Sequence, residues 1–296
     1  MGQWILIAVL LGLSVSLVDA KGLQDRLIPM PQEMRECGSV TLRAEEISVS
    51  CDAPDEPRIR TAKKILGAFA KGETGRFAIR MRLADGKSKL EKRLAGLPNA
   101  DQAYAIAPEG DSGLLVVART TQGLLYGART LGQLISEVPV SRYAMIEIPL
   151  VEIVDWPDIA ERGQWGWDVA RHLRTTSAMK LNVIEENAAV KVDKDGSVST
   201  GIPQKLFDEG DELGIDIVPF IVHFEQIYRL AKLENAPGVA STPDPSKPLP
   251  ADYLPGLCMS SPATRALVTK WVGKIADNPK VTDIQVWLSE DRAPCF

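Results

Sequence analysis

Histidine is scarce in this chain, which has two histidines among 296 residues. The sequence contains neither a Cys-x-x-Cys pair nor a His-Glu-x-x-His segment, so it offers almost no ligand set for a metal ion. We expect no metal site and no cofactor. A basic block with interleaved aromatic residues is also missing, and the formal net charge is -5. A nucleic-acid partner therefore has little support.

Long apolar runs are missing apart from residues 4–18, which span about fifteen residues and are too short for a typical membrane-spanning helix. Val18-Asp19-Ala20 follows, and its small residues at positions -3 and -1 suit cleavage before Lys21. We therefore expect residues 1–20 to be a signal peptide and the protein to be secreted or periplasmic. Because no Lys or Arg precedes the run, a buried or membrane-anchoring N-terminal helix stays open as the alternative.

Cysteine is rare, with four residues at positions 37, 51, 258 and 295. Export would permit disulfides. Cys37 and Cys51 are close enough in sequence to close a short loop across a hairpin. The alternative for these two residues is a pair of unpaired, buried thiols.

The composition of 45% hydrophobic and 25% charged residues allows one large core or two smaller ones. The chain divides near residue 150, which predicts one domain at 21–150 and another at 151–296. In the first, Ile47–Ser50 and Phe77–Leu83 alternate at period two, as strands do. Residues 58–71 place apolar side chains on one helical face, at Ile59, Ala62, Ile65, Leu66 and Phe69. This pattern predicts an α+β domain with a sheet packed on helices.

A hairpin and a helix follow in the same domain. Tyr104–Ile106 and Gly113–Ala118 are predicted as the two strands of the hairpin, and Thr120–Leu134 as the helix.

The second domain alternates strand and helix patterns, which is typical of a parallel βα architecture and of the α/β class. The predicted strands are Gln164–Ala170, Leu181–Glu185, Ile215–Val222 and Asp283–Leu288. Helices are predicted at Pro203–Leu213 and Thr264–Ile275.

Three segments together resemble glycoside hydrolase family 20, the family of β-N-acetylhexosaminidases. Leu27-Ile28-Pro29-Met30-Pro31-Gln32 is similar to the start of the family's N-terminal domain, and the Ala-x-Thr-x-x-Gly-Leu-x-Tyr-Gly pattern from Ala118 is similar to its end. Residues 161–172 resemble the first strand of the catalytic barrel. The resemblance implies a non-catalytic, zincin-like α+β domain without zinc, followed by a (β/α)8 TIM barrel. Four strands fit before Phe296, so we expect the first half of a barrel, truncated after the fourth strand.

The resemblance also implies site residues. Arg162 matches the arginine that holds sugar hydroxyls, for which a forked guanidinium is well suited; a structural salt bridge with Glu161 or Asp158 is the alternative. His223 follows the third strand, at the face where barrels place their chemistry. Its alternative is a core histidine with satisfied hydrogen bonds.

The fourth strand aligns with the catalytic Asp-Glu pair of the family. Glu290 aligns with the acid that protonates the leaving glycosidic oxygen, and Ser289 with the Asp that orients the substrate's acetamido group. A serine cannot stabilise the positive charge of an oxazolinium-like intermediate as a carboxylate does. Asp291 reaches the same site only where the strand has turned into a loop.

The second strand departs from the family pattern. Lys180-Leu181-Asn182 resembles the family's Lys-Leu-Asn core, but Glu185-Glu186-Asn187 replaces the usual His-Trp-His. Glu185 or Asn187 could line a cleft, and a solvated strand end is the alternative.

The sequence thus predicts a secreted glycoside hydrolase of β-N-acetylhexosaminidase type, using acid catalysis from Glu290. Arg162, His223, Ser289 and Asp291 are the predicted substrate-binding residues. The alternative is a non-catalytic carbohydrate-binding relative or an inactive fragment. The expected partner is a carbohydrate substrate, with no nucleic acid and no membrane span after signal cleavage.

Overall fold

The computed structural model describes residues 22–140, 143–166, 168–224, 233–242, 246, 248 and 256–287. These residues form a mixed α/β structure with two main sheets. No helix among them is long and apolar enough to cross a membrane.

The first sheet contains seven strands in the described part of the chain. They are β1 (Glu33–Leu42), β2 (Ile47–Asp52), β3 (Phe77–Leu83), β4 (Tyr104–Pro108), β5 (Gly113–Ala118), β6 (Ser136–Val140) and β7 (Tyr143–Asp155). The strand order is β1-β7-β4-β5-β3-β2, and β6 pairs with β7. Strands β2, β3 and β5 are parallel, whereas the other pairs are antiparallel.

Two helices, α1 (Pro57–Gly67) and α3 (Thr121–Leu134), pack on this sheet, and a short helix, α2 (Lys89–Ala95), lies between them in sequence. Helix α1 buries Ile59, Ala62 and Leu66, which confirms the predicted apolar face. The Thr120 side chain caps α3 by accepting a hydrogen bond from the backbone N–H of Gly123 at 3.2 Å.

Gly127 in α3 allows close packing on the sheet. A Cβ at this position would lie 2.5 Å from a side-chain carbon of Val116 and 3.2 Å from the Tyr104 ring. A larger residue would therefore push the helix away from β4 and β5.

The second sheet is parallel and has the order β13-β12-β9-β8. Its strands are β8 (Gly163–Trp165), β9 (Val183–Asn187), β12 (Asp216–Ile221) and β13 (Gln285–Val286), and a separate hairpin comprises β10 (Val190–Val192) and β11 (Val198–Thr200). Helices α4 (Leu173–Ala178), α5 (Gln204–Leu213) and α6 (Pro262–Ala276) connect the parallel strands. The predicted alternation of strands and helices is confirmed.

Several predictions agree with the structure. Strands β2 and β3 and the antiparallel pair of β4 and β5 occur where the sequence placed them, and α3 follows this hairpin as expected. The long strands β1 and β7 were missed. Because β7 runs through residue 150 to Asp155, the first sheet continues past the predicted domain boundary.

The predicted buried strand at Gln164–Ala170 is wrong. Strand β8 has three residues, all of them exposed, and residues 169–172 form a 3-10 helix. Gly166, with φ of 148°, ends the extended segment, and the backbone N–H of Arg171 then donates to the Asp168 carbonyl at 3.0 Å.

Of the two alternatives for Cys37 and Cys51, the structure has unpaired thiols and not a disulfide, although neither thiol is fully buried. Both thiols are free, Cys37 being exposed and Cys51 half-buried. Cys37 lies on β1 and Cys51 on β2, and these strands are at opposite edges of the first sheet. The two residues therefore do not belong to one hairpin.

Candidate functional site

A polar and aromatic surface lies on one face of the parallel sheet, towards the carboxyl ends of its strands. Side chains alternate along a strand, so Glu185 and Asn187 of β9 point to the same face. The register places Glu185 between Trp165 of β8 and Val218 of β12, and it places Asn187 beside Phe220. We call this surface, with Trp287 after β13, the concave face.

Trp287 is the centre of an aromatic cluster on the concave face. Its ring stacks on Phe220 with a centroid distance of 4.8 Å and meets the edge of Trp165 at 4.8 Å. The His223 ring lies 5.3 Å away. Trp165 and Trp287 belong to opposite ends of the four-stranded sheet, and their contact shows that the sheet curls around the concave face.

Two acceptor atoms on the concave face have no hydrogen-bond partner. The Glu185 Oε2 and Asn187 Oδ1 atoms are both buried and unpaired. The adjacent residue Glu186 also has an unpaired buried Oε2, but alternation directs it to the opposite face of β9. Burial raises the pKa of the Glu186 carboxyl above its ordinary value. Buried polar groups in proteins are normally paired, so an unpaired group indicates a place for a ligand, a water or an ion.

Arg162, a predicted sugar ligand, lies at the amino end of β8. Its guanidinium donates hydrogen bonds to the carbonyls of Ile159 at 2.6 Å, Ala160 at 3.1 Å and Lys180 at 2.7 Å, and to the Tyr126 hydroxyl at 3.3 Å. These contacts hold together the start of the parallel sheet and helix α3. The guanidinium of Arg162 bonds to these carbonyls and not to the carboxylate of Glu161 or Asp158, which was the predicted alternative. The role of Arg162 in sugar binding stays a prediction.

His223 lies at the other end of the same sheet, just after β12, where it is 5% exposed. In a parallel sheet all amino ends lie at one edge and all carboxyl ends at the other. The structure therefore separates Arg162 from His223 by the length of the strands. Glu290, Ser289 and Asp291 lie outside the described residues.

A second polar cluster joins the two sheets and was missed by the sequence analysis. The Lys180 ammonium donates to the Asp155 carboxylate at 2.9 Å and to the Tyr104 hydroxyl at 2.7 Å. Tyr104 donates to Asp155 at 2.7 Å and lies 2.6 Å from the Thr130 hydroxyl. We call these four residues the junction network. Burial lowers the pKa of Lys180, although the neighbouring Asp155 opposes this shift.

A pocket of about 170 Å³ borders the junction network and includes Arg162, Tyr126 and Trp156 in its wall. Its charged groups already have partners: Asp155 and Lys180 bind each other, Arg162 donates to backbone carbonyls, and Asp158 accepts from Gln32. The sequence signal that could have revealed the network is the charged pair of Asp155 and Lys180, each of which adjoins an apolar segment.

Comparison with known proteins shows which family the first part of the chain resembles. Residues 24–156 match the family model described as glycosyl hydrolase family 20, domain 2. Residues 24–156 are therefore similar to the second domain of glycoside hydrolase family 20. Among curated protein sequences, none matches this chain.

Solved structures of similar fold include the exo-β-N-acetylglucosaminidase of Vibrio harveyi bound to N-acetylglucosamine, with a TM-score of 0.67 and 14% identity over 92% of this chain and 47% of that one. The chitobiase of Flavobacterium johnsoniae gives a TM-score of 0.64 at 19% identity, with 90% and 45% covered. For the N-acetyl-β-hexosaminidase of Streptomyces plicatus the TM-score is 0.62 at 18% identity, with 92% and 60% covered. This chain thus spans about half the length of the first two of these proteins.

Proposed function

We propose that this chain forms a non-catalytic, zincin-like N-terminal domain and the first half of a (β/α)8 barrel in a secreted glycosidase of β-N-acetylhexosaminidase type. The family match supports the first part of the proposal. The parallel strands, their connecting helices and the curl of the second sheet support the second, because a barrel requires each of these features.

The observation that carries the proposal is the combination of aromatic rings with unpaired acceptors on the concave face. A sugar ring has an apolar C–H face and an edge of hydroxyl donors. Trp165, which is 61% exposed, offers a flat apolar surface, and Glu185 and Asn187 offer buried acceptors. Ligand sites combine apolar walls with a few placed polar groups, as this face does.

In the proposed reaction Glu290 is the general acid. Its carboxyl proton passes to the glycosidic oxygen as the bond from that oxygen to the anomeric carbon breaks. Water then adds to that carbon, and its released proton returns to the Glu290 carboxylate. His223, Ser289 and Asp291 are the proposed substrate-binding residues, whereas Arg162, at the amino end of the strands, is proposed to hold the start of the sheet together. Loss of charge stabilisation at position 289, where the family pattern has Asp, costs on the order of several kcal/mol in the transition state.

Ser289 also favours a second candidate function. A relative that lacks the assisting carboxylate can keep its sugar-binding face without hydrolysing the bound sugar. In that case the chain is a non-catalytic carbohydrate-binding protein.

The test compares the full chain with Glu290→Gln on chromogenic β-hexosaminides. We expect the variant to lose at least about a hundredfold of kcat/KM, which is typical of a removed general acid. Glu234→Gln is the matched control, because Glu234 is exposed, and we expect it to retain full activity.

Binding of the same sugars is measured in parallel by tryptophan fluorescence. Binding without hydrolysis supports the second candidate and rejects the first. Hydrolysis that is unchanged in Glu290→Gln contradicts the assignment of the acid, and absence of both binding and hydrolysis rejects both functions.

A further inference from the structure

Trp287 stands just before the segment that carries Ser289 and Glu290. Its backbone N–H donates to the Ile221 carbonyl at 3.0 Å, which extends the pairing of β13 with β12 by one residue. Ser289 and Glu290 follow two and three residues later in the sequence. The direction in which the chain leaves Trp287 therefore affects where the proposed acid is presented.

The Trp287 ring is held by contacts with three other rings. It stacks on Phe220, which is buried beneath it, at a centroid distance of 4.8 Å and an interplanar angle of 15°. The His223 ring lies 5.3 Å away. Phe220 belongs to β12 and His223 follows the end of that strand, so both of these contacts come from the neighbouring strand or its continuation.

The third contact comes from the far edge of the sheet. Trp165, on β8, meets Trp287 at 4.8 Å with the ring planes at 84°. Strands β9 and β12 separate β8 from β13 in the sheet, so this contact crosses the concave face and involves side chains alone. Edge-to-face contact between aromatic rings is favourable. Because Trp165 is 61% exposed, it contributes little to the core, and its main contact within the sheet is the one that braces Trp287.

We propose that Trp165 is a positioning residue, which acts through Trp287 to fix the direction of the strand end that carries Ser289 and Glu290. The proposal rests on the glycosidase function argued above and adds a role to the stacking of sugar on the exposed ring. Without Trp165, the Trp287 ring keeps its two contacts from the side of β12 and loses its brace from β8. The chain beyond Trp287 can then leave β13 in more than one direction. A displacement of about 1 Å at a reacting group can cost about a hundredfold in rate, so even a small change is measurable.

The first experiment compares Trp165→Leu and Trp165→Phe with the full parent chain in the hydrolysis of chromogenic β-hexosaminides. An aromatic pair typically shifts an equilibrium by about two- to tenfold, so we expect the kcat of Trp165→Leu to fall by about that factor. Trp165→Phe keeps a ring against Trp287, and we expect it to restore most of kcat. Ile159→Ala is the matched control, because Ile159 is an apolar side chain that is 66% exposed on the segment before β8. We expect it to retain the kcat and KM of the parent chain.

Hydrogen exchange measured by mass spectrometry tests the positioning role without reference to activity. In Trp165→Leu we expect faster exchange in the peptide that spans residues 284–296. We expect unchanged exchange in the peptide that spans β12, because Phe220 and Ile221 stay packed in the core of the second region. In Trp165→Phe and Ile159→Ala we expect neither peptide to change.

A higher KM with unchanged kcat in Trp165→Leu would restrict Trp165 to sugar binding and overturn the positioning role. Unchanged exchange in residues 284–296 would also overturn it. Faster exchange in β12 as well would make Trp165 a support of the whole sheet, with the same consequence. In each of these cases hydrolysis by the parent chain leaves the glycosidase function standing. If the parent chain hydrolyses no β-hexosaminide, the glycosidase function fails and the positioning role fails with it.

Discussion

The two sheets use their buried polar groups in opposite ways. On the inner strands β4 and β7 of the first sheet, Tyr104 and Asp155 bond to each other and to Lys180, so every member of the junction network has a partner. On the concave face of the second sheet, Glu185 and Asn187 have buried oxygens without partners. Paired groups stabilise a fold, whereas buried groups without a partner reduce its stability.

The difference indicates a division of roles between the two regions. The junction network fixes the position of Lys180, which stands three residues before β9, and so links the first sheet to the strand that carries Glu185. We infer that the first region supports the second, and that substitutions in the two regions will affect different measured quantities.

The largest predicted effect comes from breaking the junction network. Asp155→Ala leaves the Lys180 ammonium buried without its carboxylate, which we expect to lower the free energy of unfolding by about 3–5 kcal/mol. Urea denaturation followed by circular dichroism measures this change.

Glu152→Ala is the matched control, since Glu152 lies on the same strand and pairs with Arg35 at the surface. An exposed pair contributes about 0–1 kcal/mol. Equal losses for Asp155→Ala and Glu152→Ala would contradict the stabilising role of the junction network.

A smaller effect is expected in the second region at Trp271. This side chain is 1% exposed, and its indole N–H donates to the Ala188 carbonyl at 2.8 Å. Trp271→Phe leaves that carbonyl unpaired and removes volume, so we expect a loss of about 1–3 kcal/mol. Thermal unfolding measures it.

Trp165→Phe provides the contrast, because Trp165 is 61% exposed on the concave face. We expect a loss of less than about 1 kcal/mol in stability together with weaker sugar binding. A change in stability as large as that of Trp271→Phe would show that Trp165 belongs to the core.

Much of the first region could be predicted from the sequence, because its strands and helices show strong periodicity. Alternation at period two identified β2 and β3, and the helical stripe from Ile59 identified α1. Strand β1 was missed because it is almost entirely exposed and so shows little apolar alternation. The choice between a Cys37–Cys51 disulfide and free thiols could not be made from the sequence, because proximity in sequence does not determine which strands are neighbours in a sheet.

The candidate site was harder to predict. Trp165 was assigned to a buried strand, since an apolar residue in a short strand has the same sequence signal whether it faces a core or a cleft. The sequence did single out Glu185 and Asn187 as a departure from the family pattern. Their lack of partners depends on the registers of β8, β9 and β12, which no local pattern reveals.

The smallest predicted effect concerns Glu186 and sharpens the contrast between paired and unpaired groups. Burial raises the pKa of its carboxyl in the folded state above the ordinary value of 4.5. Between that value and the raised pKa the folded state holds a proton that the unfolded state has lost, so stability falls as pH rises through this window. Glu186→Gln removes the titrating group. We therefore expect the melting temperature of Glu186→Gln to rise relative to that of the parent chain as pH increases through the window. Above the window the difference stays constant.

Glu234→Gln is the control and reports the effect of removing an exposed carboxylate in the same buffers. A difference that does not change with pH would show that Glu186 does not gain a proton on folding, and its unpaired oxygen would then require a partner that accompanies the charged form.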